Sequence, residues 1–186
     1  MTVFFVLSTI ATGWKSKTKE QLHIAERNKG KRKANQVIAN AGFAVIISIF
    51  ALIYPEHLQL FQLLVAACFS SAIADTLSSE LGNIYGRRFY NIITFKKDKR
   101  GLDGVISFEG TAFGFAGSVI IAGIYSFYAS SFTGFFITII AGTIGNLSDS
   151  FLGAALERKG YLKNDVVNFL NTLIASLVAL LMYLFV

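Results

Sequence analysis

Apolar residues run through this chain in long blocks, separated by short polar segments. Five blocks are long enough for membrane-crossing helices, because a hydrocarbon core about 30 Å thick needs roughly 20 residues. They are Asn35–Tyr54, Leu58–Leu81, Val105–Tyr128, Phe132–Leu156 and Val166–Val186. A sixth, Thr2–Gly13, is too short to span alone at about 1.5 Å per residue and is expected to stay short or to extend past Trp14 as an amphipathic helix. It makes a poor signal peptide, since no basic residue precedes the apolar run and no small-residue cleavage motif follows it. The predicted fold class is all-α: a polytopic transmembrane helical bundle of about six helices, one integral membrane domain over residues 1–186, with a polar site facing the cytoplasm.

Composition agrees. Hydrophobic residues make up 54% of the chain, mean hydropathy is +0.57 and there is one proline, a profile of an integral membrane protein and not of a soluble domain. The single cysteine, Cys68, lies mid-helix and reads as a small packing residue.

Charge then orients the helices. All 17 basic residues fall in three segments: Trp14–Ala34, Gly86–Gly104 and Glu157–Lys163. The alternate connections, Pro55-Glu56-His57 and Ala129-Ser130-Ser131, hold no lysine or arginine. The positive-inside rule therefore places the three basic loops in the cytoplasm and, with six spans, both termini outside. Basic loops also serve simply as topology determinants and attract anionic lipid.

The polar residues inside the blocks are ordered. Asp75 lies 17 residues after Leu58, and Asp149 lies 17 residues after Phe132. Their helices run in the same direction, so the two acids should share one depth, near the cytoplasmic ends. Asp75, Ser78, Ser79 and Gly82 share a helical face, and Asn146, Asp149, Ser150 and Gly153 repeat that pattern. The last helix starts Asn164-Asp165-Val166-Val167-Asn168, with Asn171 one turn on, and resembles the start Asn35-Gln36-Val37-Ile38 with Asn40 following.

Carboxylates inside a membrane segment cost several kcal/mol unless paired, hydrated or metal-bound. Several at one depth, beside basic loops, point to one polar cavity. Oxygen ligands such as Asp75, Asp149 and Glu80 suit Mg²⁺, which takes one or two carboxylates plus phosphate oxygens. Arginines, with Arg87, Arg88 and Arg158 foremost, suit phosphate. The competing reading is that Asp75 and Asp149 only pair with basic residues or cap loops. The stretch Gly101-Leu102-Asp103-Gly104 reads as a glycine-rich start of a helix, able to cradle phosphate on backbone N–H groups or to serve close packing. Gly114 and Gly117, deeper in the block, read as packing positions. There is no His/Cys metal spacing, and serine near aspartate without histidine makes no triad.

The segments Ala74–Gly82, Ile93–Phe95, Gly101–Ser118, Gly142–Gly160, Asn164–Thr172 and Asn35–Gly42 together resemble, in order and over nearly the whole chain, the motifs of the DUF92 family. That family includes transmembrane protein 19 and the phytyl-phosphate kinase of vitamin E synthesis. Two departures stand out: Leu77 where members often carry Trp, and Leu102 and Ile106 within the glycine motif. The resemblance implies a membrane-embedded kinase that moves a phosphoryl group from a nucleoside triphosphate, CTP-like, to phytyl or another isoprenyl monophosphate, with Mg²⁺ as cofactor. It puts Asp75, Asp149 and Glu80 in the catalytic centre. Ser78, Ser79, Arg87, Arg88, Gly101, Asp103, Gly104, Asn146, Ser150, Arg158, Asn164, Asp165, Asn168, Asn35 and Asn40 are then the substrate- and nucleotide-binding set, with Asp75 and Asp149 as metal ligands. The expected partners are the lipid bilayer, the isoprenyl phosphate and the nucleotide, with no nucleic acid and a homo-oligomer left open. The expected location is the cell inner membrane. The alternative is a transporter or lipid translocator with an acidic ion site; a catalytically silent assembly partner is a third reading.

Overall fold

The computed structural model describes residues 1–22 and 34–186. Much of the first basic segment, including Arg27, Lys29, Lys31, Arg32 and Lys33, lies outside the described residues. The helices are α1 (Thr2–Gly13), α2 (Ser16–Gln21), α3 (Ala34–Ile53), α4 (Leu58–Tyr85), α5 (Phe108–Ala129), α6 (Phe132–Leu152) and α7 (Asn164–Leu184). A 3₁₀ turn, Pro55–His57, joins α3 to α4, and a π-helical turn, Gly153–Glu157, ends α6. Five helices, α3 to α7, are long and apolar enough to cross a membrane.

α4 is the central helix and packs on α1, α3, α5, α6 and α7. Small residues make this possible. A Cβ at Gly142 would run into Ser70 and Ser118, and one at Gly145 into Ser71 and Ala175. A Cβ at Gly82 would stand 2.6 Å from the Gly110 Cα, and one at Gly114 would stand 2.9 Å from the Ala74 carbonyl oxygen. Without a hydrophobic drive between helices in lipid, such close approach supplies the packing energy. The packing reading of Gly114 and Gly117 matches this contact. Large apolar side chains such as Ile49, Phe50, Leu52, Phe115 and Phe136 point outward, where lipid replaces water as their solvent.

α1 does not extend past Trp14, because Trp14 is extended and Lys15 takes a left-handed conformation with φ of 47°. α1 lies along one half of α4: Phe4 packs on Phe69 at 5.6 Å between ring centroids, and Trp14 Nε1 donates to the Tyr85 hydroxyl at 2.9 Å. The chain's first residues therefore sit near the middle of the bundle's thickness, and among the described residues α1 is too short to be a sixth span.

The third apolar block begins differently from expectation. Val105–Ile106 is a strand, β2, pairing antiparallel with β1, Tyr90–Asn91, in the register Tyr90 to Ile106 and Asn91 to Val105. Helix α5 starts only after Ser107, whose Oγ accepts from the Gly110 N–H at 3.1 Å as an N-cap. β-branched Val105 and Ile106 fit a short ladder, and the capping serine breaks the apolar run from the helix proper. Gly101 and Gly104 thus lie in a hairpin turn, not in a helix start. At Gly104, φ is 73°, and a Cβ there would collide with the backbone of Ala154 in the π turn. This close approach seats the hairpin on the end of α6.

Candidate functional site

The close crossing of α4 and α6 decides the site. Asp75 follows Ser71 by one turn and Asp149 follows Gly145 by one turn, so the contact between Ser71 and Gly145 carries both acids onto facing surfaces. The two carboxyl groups come within hydrogen-bonding contact. Asp75 lies deeper than expected. α4 runs on to Tyr85, which sets Asp75 about 15 Å inside the helix end at roughly 1.5 Å per residue.

Asp149 is held from a second side. Asn171 Nδ2 donates to Asp149 Oδ1 at 2.8 Å, and Ser71 Oγ donates to Asn171 Oδ1 at 3.2 Å. Asn171 is fully buried. Beside Asp75, Ser78 Oγ donates to Asn146 Oδ1 at 3.0 Å.

Asp75, Asp149, Ser78 and Asn146 line one cavity of about 200 Å³, with Asn171 and Ser71 packed behind the wall. Of the predicted residues, Asp75, Ser78, Ser79, Glu80, Gly101, Asp103, Gly104, Asn146, Asp149, Ser150, Asn164, Asn168 and Asn40 reach its wall. The hairpin turn, residues 101–107, forms part of its lining. Thr12, Gln36, Asn83 and Glu157 also line it. Sequence reasoning missed these four. Glu157 carries a signal in the sequence, since Asp149, Gly153 and Glu157 recur every four residues, although it also opens the basic segment Glu157–Lys163.

Several expectations fail. Arg87, Arg88 and Arg158 do not line the cavity. Arg87 and Arg88 are exposed on chain that leaves the bundle after Gly86, where water solvates their charge. Arg158 lies beyond the π turn, and its Nη1 donates to Asp98 Oδ2 at 2.7 Å, tying the hairpin to α6. That bond holds the Asp98 carboxyl below the usual carboxylate range. Asp103 keeps surface open to water, yet the neighbouring wall removes enough hydration to raise its pKa, against the pull of Arg158. Asn35 is exposed at the start of α3, and neither Asn35 nor Asp165 lines the cavity, although their chain neighbours Gln36 and Asn164 do.

Glu80 reaches the cavity but is engaged elsewhere. Lys19, only 4% exposed, donates to Glu80 Oε2 at 2.5 Å and to the Ala11 and Thr12 carbonyls at 2.8 and 3.0 Å. Lys19 caps the C-terminal end of α1 and clamps it on α4. No local pattern marks Lys19 out from the surrounding lysines, because its acid partner lies 61 residues away.

Among the described lining residues there are five acids (Asp75, Glu80, Asp103, Asp149 and Glu157), of which Glu80 is offset by Lys19, and no lysine or arginine lines the cavity itself. The field of such a wall draws cations and repels free polyanions. No group of three His, Cys, Asp or Glu side chains among the described residues forms a cation cage. The donor set is two facing carboxylates with amide and hydroxyl oxygens nearby. It fits a cation that keeps waters and takes its remaining ligands from phosphate, as Mg²⁺ does.

A family model described as "Integral membrane protein DUF92" matches residues 1–176. The chain belongs to the DUF92 family. Among relatives of this DUF92 chain is Protein VTE6, chloroplastic, of Arabidopsis thaliana, 35% identical over 190 residues, covering 98% of this chain. An uncharacterized membrane protein of Synechocystis is 33% identical over 180 residues, with 95% of this chain and 70% of that protein covered. One from Methanocaldococcus jannaschii is 33% identical over 153 residues, with 82% and 63% covered. The chain spans 57% of the length of the VTE6 protein. No solved structure matches this DUF92 protein.

Proposed function

We propose that this chain is a membrane-embedded prenyl-phosphate kinase, transferring the γ-phosphoryl group of a nucleoside triphosphate to phytyl or another isoprenyl monophosphate. The observation that carries the reading is the facing pair Asp75 and Asp149 in an acid- and amide-lined cavity whose described walls hold no lysine or arginine. A polyphosphate enters such a cavity only as a cation complex. The family resemblance supplies the prenyl phosphate. In this reading the cavity mouth faces the cytoplasm, as the positive-inside rule applied to the basic loops supports.

Asp75 and Asp149 are the residues that would hold Mg²⁺, which when bound offsets charge on the phosphate oxygens. Asn171 keeps the Asp149 carboxylate turned toward Asp75. Ser78 and Asn146, bonded to each other, present a neutral polar edge beside the acids. In the transfer, an oxygen of the prenyl phosphate bonds to the γ-phosphorus and the bond to the β–γ bridging oxygen breaks, releasing the nucleoside diphosphate. The acceptor oxygen is already anionic, so positioning and charge stabilisation suffice and no general base is required. Glu80, clamped by Lys19, is a wall residue in this scheme. The cavity volume of about 200 Å³ is below the roughly 300–1,000 Å³ of ordinary small-ligand pockets, so a whole nucleotide does not fit within it as it stands.

The test is phosphoryl transfer by the purified chain to a panel of isoprenyl monophosphates. Asp75→Asn and Asp149→Asn should each lower the rate at least roughly 100-fold, comparable to losing one transition-state contact of about 3 kcal/mol. Ser78→Ala should cost less. Variants that lose thermal stability but keep specific activity would make the acids structural and remove the metal site. The depth of Asp75 favours one second reading, an ion-coupled transporter; cation flux in proteoliposomes without phosphoryl transfer would establish it instead.

A further inference from the structure

Part of the cavity wall carries uncharged polar side chains. It is formed by Thr12 of α1, Gln36 and Asn40 of α3, and Asn164 and Asn168 of α7. The helices α3 and α7 meet here, with the Phe43 and Phe169 rings edge to face at 5.9 Å. Asn40, 4% exposed, and Asn168, 6% exposed, are buried beside this contact. Asn40 Nδ2 donates to the Gln36 carbonyl at 2.8 Å, one turn back on the same helix. That bond settles which way the amide points, because the carbonyl accepts only from the nitrogen. The Asn40 oxygen is therefore the free end. Among the described residues nothing donates to it, although it is buried.

A buried amide oxygen without a donor is unfavourable by about 1–3 kcal/mol. A ligand that binds here gains by supplying a donor. Of the reactants in the proposed reaction, the phosphate groups are acceptors at neutral pH and the prenyl tail has no polar hydrogen. Only the nucleoside carries neutral N–H and O–H groups. We propose that Asn40 is a nucleoside-binding residue, its amide oxygen accepting a hydrogen bond from the base or ribose of the phosphoryl donor, while the acids take the phosphate end. This rests on the kinase reading and adds the part of the co-substrate that selects among nucleotides.

The experiment uses the full chain in lipid nanodiscs, with CTP, UTP, ATP, GTP and dCTP as probes. Binding is read by nucleotide-dependent thermal shift with Mg²⁺, and transfer is read with phytyl phosphate. For Asn40→Ala the expected result is a KM for the preferred nucleotide raised about 10-fold, an unchanged KM for the prenyl phosphate and no loss of stability without nucleotide. The last point follows because the variant removes an unsatisfied acceptor together with one bond to a carbonyl, that of Gln36, which already lies within the backbone ladder of α3. Preference should flatten between CTP and UTP if the base amine is the donor, and between CTP and dCTP if the ribose hydroxyl is. Asn40→Ser, smaller but still polar, should behave in the same way if alanine proves poorly expressed. A destabilised protein with an unchanged nucleotide KM would make Asn40 structural and overturn the proposal. So would a raised Mg²⁺ requirement at unchanged nucleotide KM, which would make it a cation ligand. Wild-type protein that binds nucleotide without transferring phosphate would sink the kinase reading alone, and the Asn40→Ala binding shift would still decide the proposal. Wild-type protein that binds no nucleotide would sink both.

Discussion

Replacing Lys19 with methionine tests whether a buried ion pair holds α1 on the wall of the cavity. Lys19 is 4% exposed and gives its three protons to Glu80 Oε2 and to the carbonyls of Ala11 and Thr12. Methionine keeps the apolar stem and removes the charge. Glu80, 15% exposed on its side chain, is then left without its cation. Breaking one partner of a buried pair destabilises by about 3–5 kcal/mol. The pair here keeps a little solvent contact, so the lower end, about 3 kcal/mol, applies. For a chain of this size that is a loss of about 6–12 °C in melting temperature. The assay is thermal unfolding in detergent, followed by far-UV dichroism and by the fluorescence of Trp14, the only tryptophan. Trp14 bonds to Tyr85 near the clamp, so its emission should change at a lower temperature than the helix signal when α1 releases. Glu80→Gln and the double variant complete a cycle, whose coupling should be at least about 1.5 kcal/mol, within the range for residues in direct contact. Additive single variants, or a Lys19→Met loss under about 2 °C, would refute the clamp.

Gly104→Ala should destabilise by about 2 kcal/mol or more, since its left-handed backbone alone penalises a Cβ by about 1–2 kcal/mol and Ala154 blocks the space; chemical denaturation checks this. The Asp98 to Arg158 tie should hold the hairpin above the ordinary carboxylate pKa of about 3.9 and weaken as pH falls through the lower folded value. Hydrogen-exchange protection factors across residues 90–106, taken against the intrinsic rate at each pH, should therefore fall at low pH in the wild type, and in Arg158→Gln they should be lowered already at neutral pH with little further change. Single cysteines at Lys97 and Ser130, introduced into a chain with Cys68 replaced by serine, should label from opposite sides of the membrane; equal access from one side would remove the proposed orientation.

The sequence alone determined the spans, because membrane crossing depends on length and hydropathy, which are one-dimensional properties. Asp75 and Asp149 were legible for the same reason: equal offsets in parallel helices give similar depth, and an acid in an apolar block is conspicuous. The glycines Gly114 and Gly117 marked close packing, but not which helix each would meet, and Gly142 and Gly145 showed their packing role only in the fold. The tertiary structure decided the rest. Val105–Ile106 became a strand because Tyr90–Asn91 came alongside, and hydropathy cannot separate a short ladder from the start of an apolar helix. Arg158 left the site because Asp98, 60 residues away, offered a partner outside the cavity. Lys19, indistinguishable among its basic neighbours, became a buried clamp because Glu80 lay at the right height on α4. Asn171 became the holder of Asp149 through a bond between helices. Charged and amide side chains are long, and their free energy depends on which partner they reach after the helices have packed. Their positions along the chain therefore say where polar groups exist, while the fold sets which of them meet.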